Sequence, residues 1–148
     1  RSPFIQMSQK FRTTKCFWVK YETGEIDDVS IDKCIDGYKV LHELTAQMRD
    51  LIHPQIIAYK NSHHDYICQI CRIETDPGNL HVDHWKPQFV HIRNNFTTET
   101  GLTYEELLNE LKENEEMKTR WMDYHQSKAA LRYLCKSCNL HRKRNGSD

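Results

Sequence analysis

Four of the six cysteines stand in two C-x-x-C pairs, Cys68/Cys71 and Cys135/Cys138. Adjacent thiolates at this spacing can close on one soft cation, and two such pairs supply the four-thiolate set of a structural zinc site. In a chain of 148 residues, zinc held that way contributes directly to folding free energy. Four thiolates leave zinc no open position, so any chemistry needs other groups. Asp83 and His84, in the run His81-Val82-Asp83-His84, and Asn139, directly after Cys138, are the candidates. Asp83 offers a hard oxygen ligand suited to magnesium. His84 offers an imidazole that takes a proton near neutral pH. A plainer reading makes 81–84 the polar end of a strand before a turn at Pro87. Strand alternation would then put His81 and Asp83 on one face and Val82 and His84 on the other. Asn139 either caps a helix or lends its amide oxygen.

These residues need elements to position them. Lys15 to Tyr21 (KCFWVKY) is rich in aromatic and β-branched residues and predicts a strand. A turn at Glu22-Thr23-Gly24 and a returning strand over 25–31 complete a hairpin. Val40, Leu41, Leu44, Met48, Leu51 and Ile52 follow helical spacing from Tyr38 to Ile52, with Asp36 as a cap and Pro54 as the point where the path restarts or kinks. Pro77-Gly78-Asn79 predicts a turn and 80–84 a strand. Thr103 and Glu106 form a capping box for a helix over 103–114. A second helix is expected over 117–126, a lead-in at 131–134, and a short basic helix over 139–144.

Apolar residues make up 38% of the chain and charged residues 28%, which suits one ordinary domain with a thin core. No run approaches the roughly 18 apolar residues of a membrane span, so an integral membrane protein is excluded. The 21 basic and 21 acidic residues cancel, so whole-chain charge argues neither for nor against a polyanionic partner. The start of the chain has no apolar leader, and the C-x-x-C spacing favours metal over disulfides. An intracellular protein, cytoplasmic or nuclear, is therefore expected. Residues 1–6 are set aside as an extraneous leader ahead of Met7. Cys16 and Cys34 are expected to be buried thiols, and Trp18, Trp85 and Trp121 core residues, with Trp85 close enough to wall the site. His81 reads as a strand-face residue, His141 as a solvent-facing helix residue, and His63 and His64 as loop residues without a role.

Taken in order, C-x-x-C, Asp83-His84 and C-x-x-C-N resemble the zinc-bearing branch of the HNH, or ββα-metal, endonucleases, particularly the phage recombination endonuclease VII group. Leu131 to Asn139 (LRYLCKSCN) resembles a stretch common in HNH sequences. The resemblance implies that Cys68, Cys71, Cys135 and Cys138 hold zinc, that Asp83 and Asn139 bind one catalytic divalent ion, and that His84 is the general base. The chain departs from the family in spacing: 56 positions run from Asp83 to Asn139, more than the motif needs. Residues 89–130 are thus read as an insertion whose helices pack outside the motif. A weaker resemblance is to the plant DCL-like family. Its carriers are KCFWVKYETGEIDDVSIDKCI at 15–35 and the run from Asp83-His84 through GLTYEEL (101–107) to WMDYHQSKAALRYL (121–134). Many members of that family lack the cysteines and the Asn, which implies that some relatives do not cut. This chain keeps every motif position.

The expected architecture is α+β: a ββα-metal (HNH) core stapled by a four-cysteine zinc site, with an N-terminal β-hairpin plus helix and a helical insertion. A single domain would comprise 7–60, the split core 61–88 and 131–146, and the insertion 89–130. The implied function is a metal-dependent endonuclease hydrolysing DNA phosphodiester bonds. Mg2+, with Mn2+ as a substitute, would stabilise charge on the phosphoryl and leaving oxygens. His84 would take the proton from water, leaving a 5′-phosphate and a 3′-hydroxyl. Arg142, Lys143 and Arg144 suit phosphate contacts, although they equally complement a helix C-terminus. The acidic hairpin and the insertion would repel DNA and are expected away from the cleft. Nothing separates DNA from RNA, and cutting both strands would favour a homodimer. The alternative is a catalytically inactive, zinc-stapled nucleic-acid or protein binding module, which has no need to keep Asp83, His84 and Asn139 together.

Overall fold

A computed structural model describes the backbone of residues 5–7, 16–20 and 26–145 and the side chains of residues 35–141. The aromatic and β-branched run predicted as a strand forms β2 (Cys16–Lys20), with β3 (Ile26–Ser30) returning beside it, Cys16 opposite Ser30 and Lys20 opposite Ile26. A third strand, β1 (Ile5–Met7), pairs antiparallel with the other edge of β2. Residues 5 and 6, set aside above as part of a leader, thus belong to the sheet. The side chains of Cys16, Trp18 and Cys34 lie outside the described residues.

Helix α1 (Ile31–Ser62) starts well before the expected Tyr38. Asp36 is therefore no cap; it lies inside the helix and pairs with Lys39 at 3.5 Å. Pro54 does not restart the path, since α1 runs through it. Pro54 and Asp50, whose carbonyl loses its helical donor there, are both exposed, so water can serve that carbonyl. Leu44, Met48 and Ile52 recur at helical spacing and are buried. The chain divides into two compact units, residues 1–43 and 44–148.

In the second unit a loop carrying Cys68 and Cys71 leads through a 3-10 turn at Pro77–Asn79 into β4 (Leu80–His84). After α2 (Phe89–Thr100), α3 (Tyr104–Glu113) and α4 (Glu115–Lys128), the chain returns as β5 (Leu131–Cys135) and continues directly into α5 (Lys136–Asn145). Strands β4 and β5 form a two-stranded antiparallel ladder, Leu80 opposite Cys135 and His84 opposite Leu131, and α5 packs on both strands. The mixture of helix and strand is α+β, as expected.

Helix α2 lies where the sequence predicts no element. Phe89, Ile92 and Phe96 nevertheless recur on one face and are buried. The hydroxyls of Thr97 and Thr98 donate to the carbonyls four residues back, at 2.9 and 3.0 Å, so they do not compete with the helix. Gly101, at φ 69°, ends it in the left-handed conformation that glycine adopts without strain. Helix α3 begins with the predicted Thr103/Glu106 capping box, and Asn114 caps α4 by accepting from the N–H groups of Glu116 and Met117.

The inserted segment builds the core together with α1. Trp121 of α4 is fully buried and donates from Nε1 to the Met48 carbonyl at 2.9 Å, while Phe89, Phe96 and Leu107 complete the same core. Burying these large side chains gives the unit a substantial part of its apolar interior. Trp85 is no core residue: it is 44% exposed, with the Arg132 guanidinium 5.5 Å from its ring centroid.

Candidate metal centre and adjoining cavity

The two C-x-x-C pairs arrive from different elements. Cys68 and Cys71 sit in a tight loop closed by Cys68 N–H to the Ile73 carbonyl (3.1 Å) and Arg72 N–H to the Cys68 carbonyl (2.9 Å), with Arg72 at φ 62°. Gln69 N–H donates to the Tyr133 carbonyl at 2.9 Å, which ties this loop to β5. Cys135 ends β5 and Cys138 lies in the first turn of α5. All four Sγ atoms lie within 4.8 Å of one another. Tetrahedral zinc with Zn–S near 2.3 Å places its sulfurs about 3.8 Å apart, and Cys71 and Cys135 are 3.9 Å apart. The cluster is therefore compatible with a structural metal such as zinc. Burial opposes ionisation of Cys68, but hydrogen bonds from the backbone N–H groups of Cys135, Cys71 and Ile70 outweigh it and bring the thiol to about 6. Cys138 is pushed the other way, to about 12, by burial and by its sulfur neighbours Cys135, Cys68 and Cys71. Sulfurs this crowded resist full ionisation together, and a divalent cation is the group that makes four thiolates compatible.

Beside this cluster, Asp83, His84 and Asn139 line one cavity of about 320 Å³, together with His81, Gln88 and Arg49. The alternation expected along β4 does not separate them. Asp83 and His84 are both buried, and His81, although exposed, reaches the same cavity. Asn139 is the fourth residue of α5, so it is not a cap. Its Oδ1 is buried and has no hydrogen-bond partner among the described residues. A buried orphan acceptor costs about 1–3 kcal/mol and calls for an explanation.

Two buried side chains hold Asp83 and His84 from behind. Arg132, opposite Asp83 in the ladder, places Nε 3.0 Å from Asp83 Oδ2. His125 of α4 places Nε2 2.8 Å from His84 Nε2, and its Nδ1 lies 2.6 Å from Gln55 Oε1. Burial lowers His125 to about 4, so its ring is neutral near neutral pH. Arg49 of α1 lies over the Phe89 ring, 4.4 Å from its centroid. Burial and the neighbouring Arg93 lower its pKa from a value so high that it remains a cation. Sequence reasoning missed Arg49, Gln55, His125 and Arg132 as site residues. Arg132 lies within LRYLCKSCN and His125 within WMDYHQSKAALRYL, although neither stretch marks them as site residues; Arg49 and Gln55 come from outside the recognisable motifs.

Among the other candidates, His141 is exposed and bonds the Ser137 carbonyl one turn back, at 2.8 Å, as a solvent-facing helix residue would. His63 and His64 are exposed, with His63 stacked on Tyr59. Trp85 does not line the cavity. The inserted segment does, through Phe89 and Val90, so the expectation that it lies away from the cleft is corrected. Arg142, Lys143 and Arg144 continue α5, and their side chains lie outside the described residues. No helix among the described residues is long and apolar enough to cross a membrane.

Residues 2–35 match a family described as a protein of unknown function (DUF3223). The match covers β1, β2 and β3 and includes none of the residues lining the cavity. No curated protein and no solved structure matches the chain.

Proposed function

We propose that the chain is a divalent-metal-dependent endonuclease of the HNH type that hydrolyses DNA phosphodiester bonds. The observation that carries this reading is Asn139 Oδ1, a buried oxygen without a partner among the described residues, in the same cavity as Asp83 and His84. The order of elements supports the reading: two antiparallel strands, the first ending in Asp83-His84, and after the second a helix that holds the Asn, with α2 to α4 between the strands.

Asp83 and Asn139 would hold the ion, a hard-oxygen pair suited to magnesium or manganese. A carboxylate carries about four lone-pair sites, so one paired with arginine keeps acceptor capacity for a cation. When bound, the ion would supply charge stabilisation at the phosphoryl and leaving oxygens. His84 would take the proton from the attacking water. Arg49, the cation on the cavity wall, would hold a phosphate oxygen against that water. The zinc cluster would have a structural role only.

The test is supercoiled plasmid incubated with the zinc-loaded chain and Mg2+. Nicking or linearisation is expected, suppressed by EDTA and by His84→Ala. Equal cutting by His84→Ala would remove the mechanism. A second reading, a zinc-stapled module without catalysis that binds nucleic acid or protein, is favoured by one observation: Asp83 is engaged by Arg132 in a buried pair that serves the fold without any ion. Plasmid retarded in a gel but never cut would select it.

A further inference from the structure

The geometry points to Gln55 and His125 as positioning residues that hold His84 in the tautomer with its proton on Nε2 and its basic lone pair on Nδ1. The use made of that lone pair rests on the nuclease reading; the tautomer itself does not.

The direction of every bond in the chain follows from its far end. Gln55 Nε2 lies 2.8 Å from the Met122 carbonyl oxygen, which can only accept. The Gln55 amide is thereby oriented, and its Oε1 is turned to His125 Nδ1 at 2.6 Å. An amide oxygen also only accepts, so Nδ1 of His125 carries the proton. A neutral imidazole protonated at Nδ1 has its lone pair on Nε2. That lone pair faces His84 Nε2 at 2.8 Å, so His84 must donate there. With Nε2 protonated, neutral His84 has its lone pair on Nδ1. One backbone carbonyl in α4 thus dictates, through two side chains, which nitrogen of a cavity histidine is basic.

The packing holds the arrangement in place. His125 is fully buried, and the two imidazoles meet edge to face with centroids 5.1 Å apart at 74°. Phe89 abuts the His84 ring edge-on at 5.2 Å. Bonded on one side and packed on the other, the His84 ring cannot flip without breaking the bond to His125. Three distant parts of the chain, α1, α4 and β4, meet to serve one ring, a role that hydrogen bonding to second-tier partners commonly fills.

The experiment is 15N-resolved NMR of the imidazoles in the full, zinc-loaded chain near neutral pH, together with plasmid cleavage. Expected are His84 protonated at Nε2 and His125 protonated at Nδ1. His125→Phe fills the space without an acceptor and should leave His84 a mixture of tautomers. Gln55→Leu, which disturbs only the far end, should release both rings. His125→Gln, which restores an acceptor, should recover the Nε2–H form. In cleavage, His125→Phe should lower kcat by about 10- to 100-fold with KM little changed, the scale of losing orientation alone, and His125→Gln should recover part of it. His84 protonated at Nδ1 in the unmodified chain, or a tautomer unchanged in both His125→Phe and Gln55→Leu, would overturn the inference. The expected tautomers in a chain that never cuts would support the relay and remove the nuclease reading alone.

Discussion

Asp83 and Arg132 are partners twice over: they face each other in the β4–β5 register, and their side chains meet at 3.0 Å with each only 7% exposed. A buried carboxylate and guanidinium stabilise each other chiefly by making burial of either tolerable. Arg132→Met should therefore lower unfolding free energy by about 3–5 kcal/mol, the usual cost of stranding one member of a buried pair. The double variant Asp83→Leu/Arg132→Met should recover most of that loss while abolishing any Mg2+-dependent activity. Urea titrations of the three chains check this, and a double variant as unstable as the single one would contradict it.

Asn139 predicts the opposite sign. Its Oδ1 is buried without a partner among the described residues, and alanine also favours a helix interior more than asparagine does. Without Mg2+, Asn139→Ala should leave the zinc-loaded chain as stable or more stable by about 1 kcal/mol, yet it should remove Mg2+-dependent cleavage. Thermal melts with and without Mg2+ provide a second readout, because the stabilisation by Mg2+ expected of the unmodified chain should vanish in the variant.

The thiolate cluster predicts about one zinc per chain by elemental analysis. Cys68→Ala or Cys135→Ala should give an unfolded or insoluble product, and a strong chelator should abolish the cooperative melt, because metal binding and folding are coupled in sites of this kind. A stable, zinc-free Cys68→Ala chain would contradict the assignment.

His125 predicts a pH dependence of stability. Burial lowers its pKa from 6.5 to about 4 in the folded chain. Between those values the unfolded chain binds a proton that the folded chain does not, so stability falls as pH drops from 6.5 toward 4 and is unaffected by this group above that window. The loss should amount to on the order of 3 kcal/mol. His125→Phe should flatten that part of the profile, which denaturation at a series of pH values would reveal. His84 and Gln55 face the same ring, so Gln55→Leu should change the profile as well.

What the sequence made legible was local. Two C-x-x-C pairs, a T-x-x-E box and a short alternating strand each compress into a few residues, and the cysteine cluster, α3 and β4 follow them closely. Helix α2 escapes notice because threonines and asparagines between Phe89 and Thr100 hide an apolar face whose spacing is there to be read. Asp36 and Pro54 mislead because local preference is overridden: α1 begins directly after β3 and continues on the strength of its buried Leu44, Met48 and Ile52 face. Of the site, Asp83, His84 and Asn139 are visible as residue types. Gln55 and His125 are not, since 41 positions separate His125 from His84 and 70 separate it from Gln55, and no pattern in the chain marks such a meeting.

Cys138 and Asn139 are consecutive residues in one helical turn. An oxidant or a competing chelator that dislodges the sulfur therefore acts one peptide bond from the amide on the cavity wall. Metal starvation or thiol damage would thus reach that wall through the backbone itself.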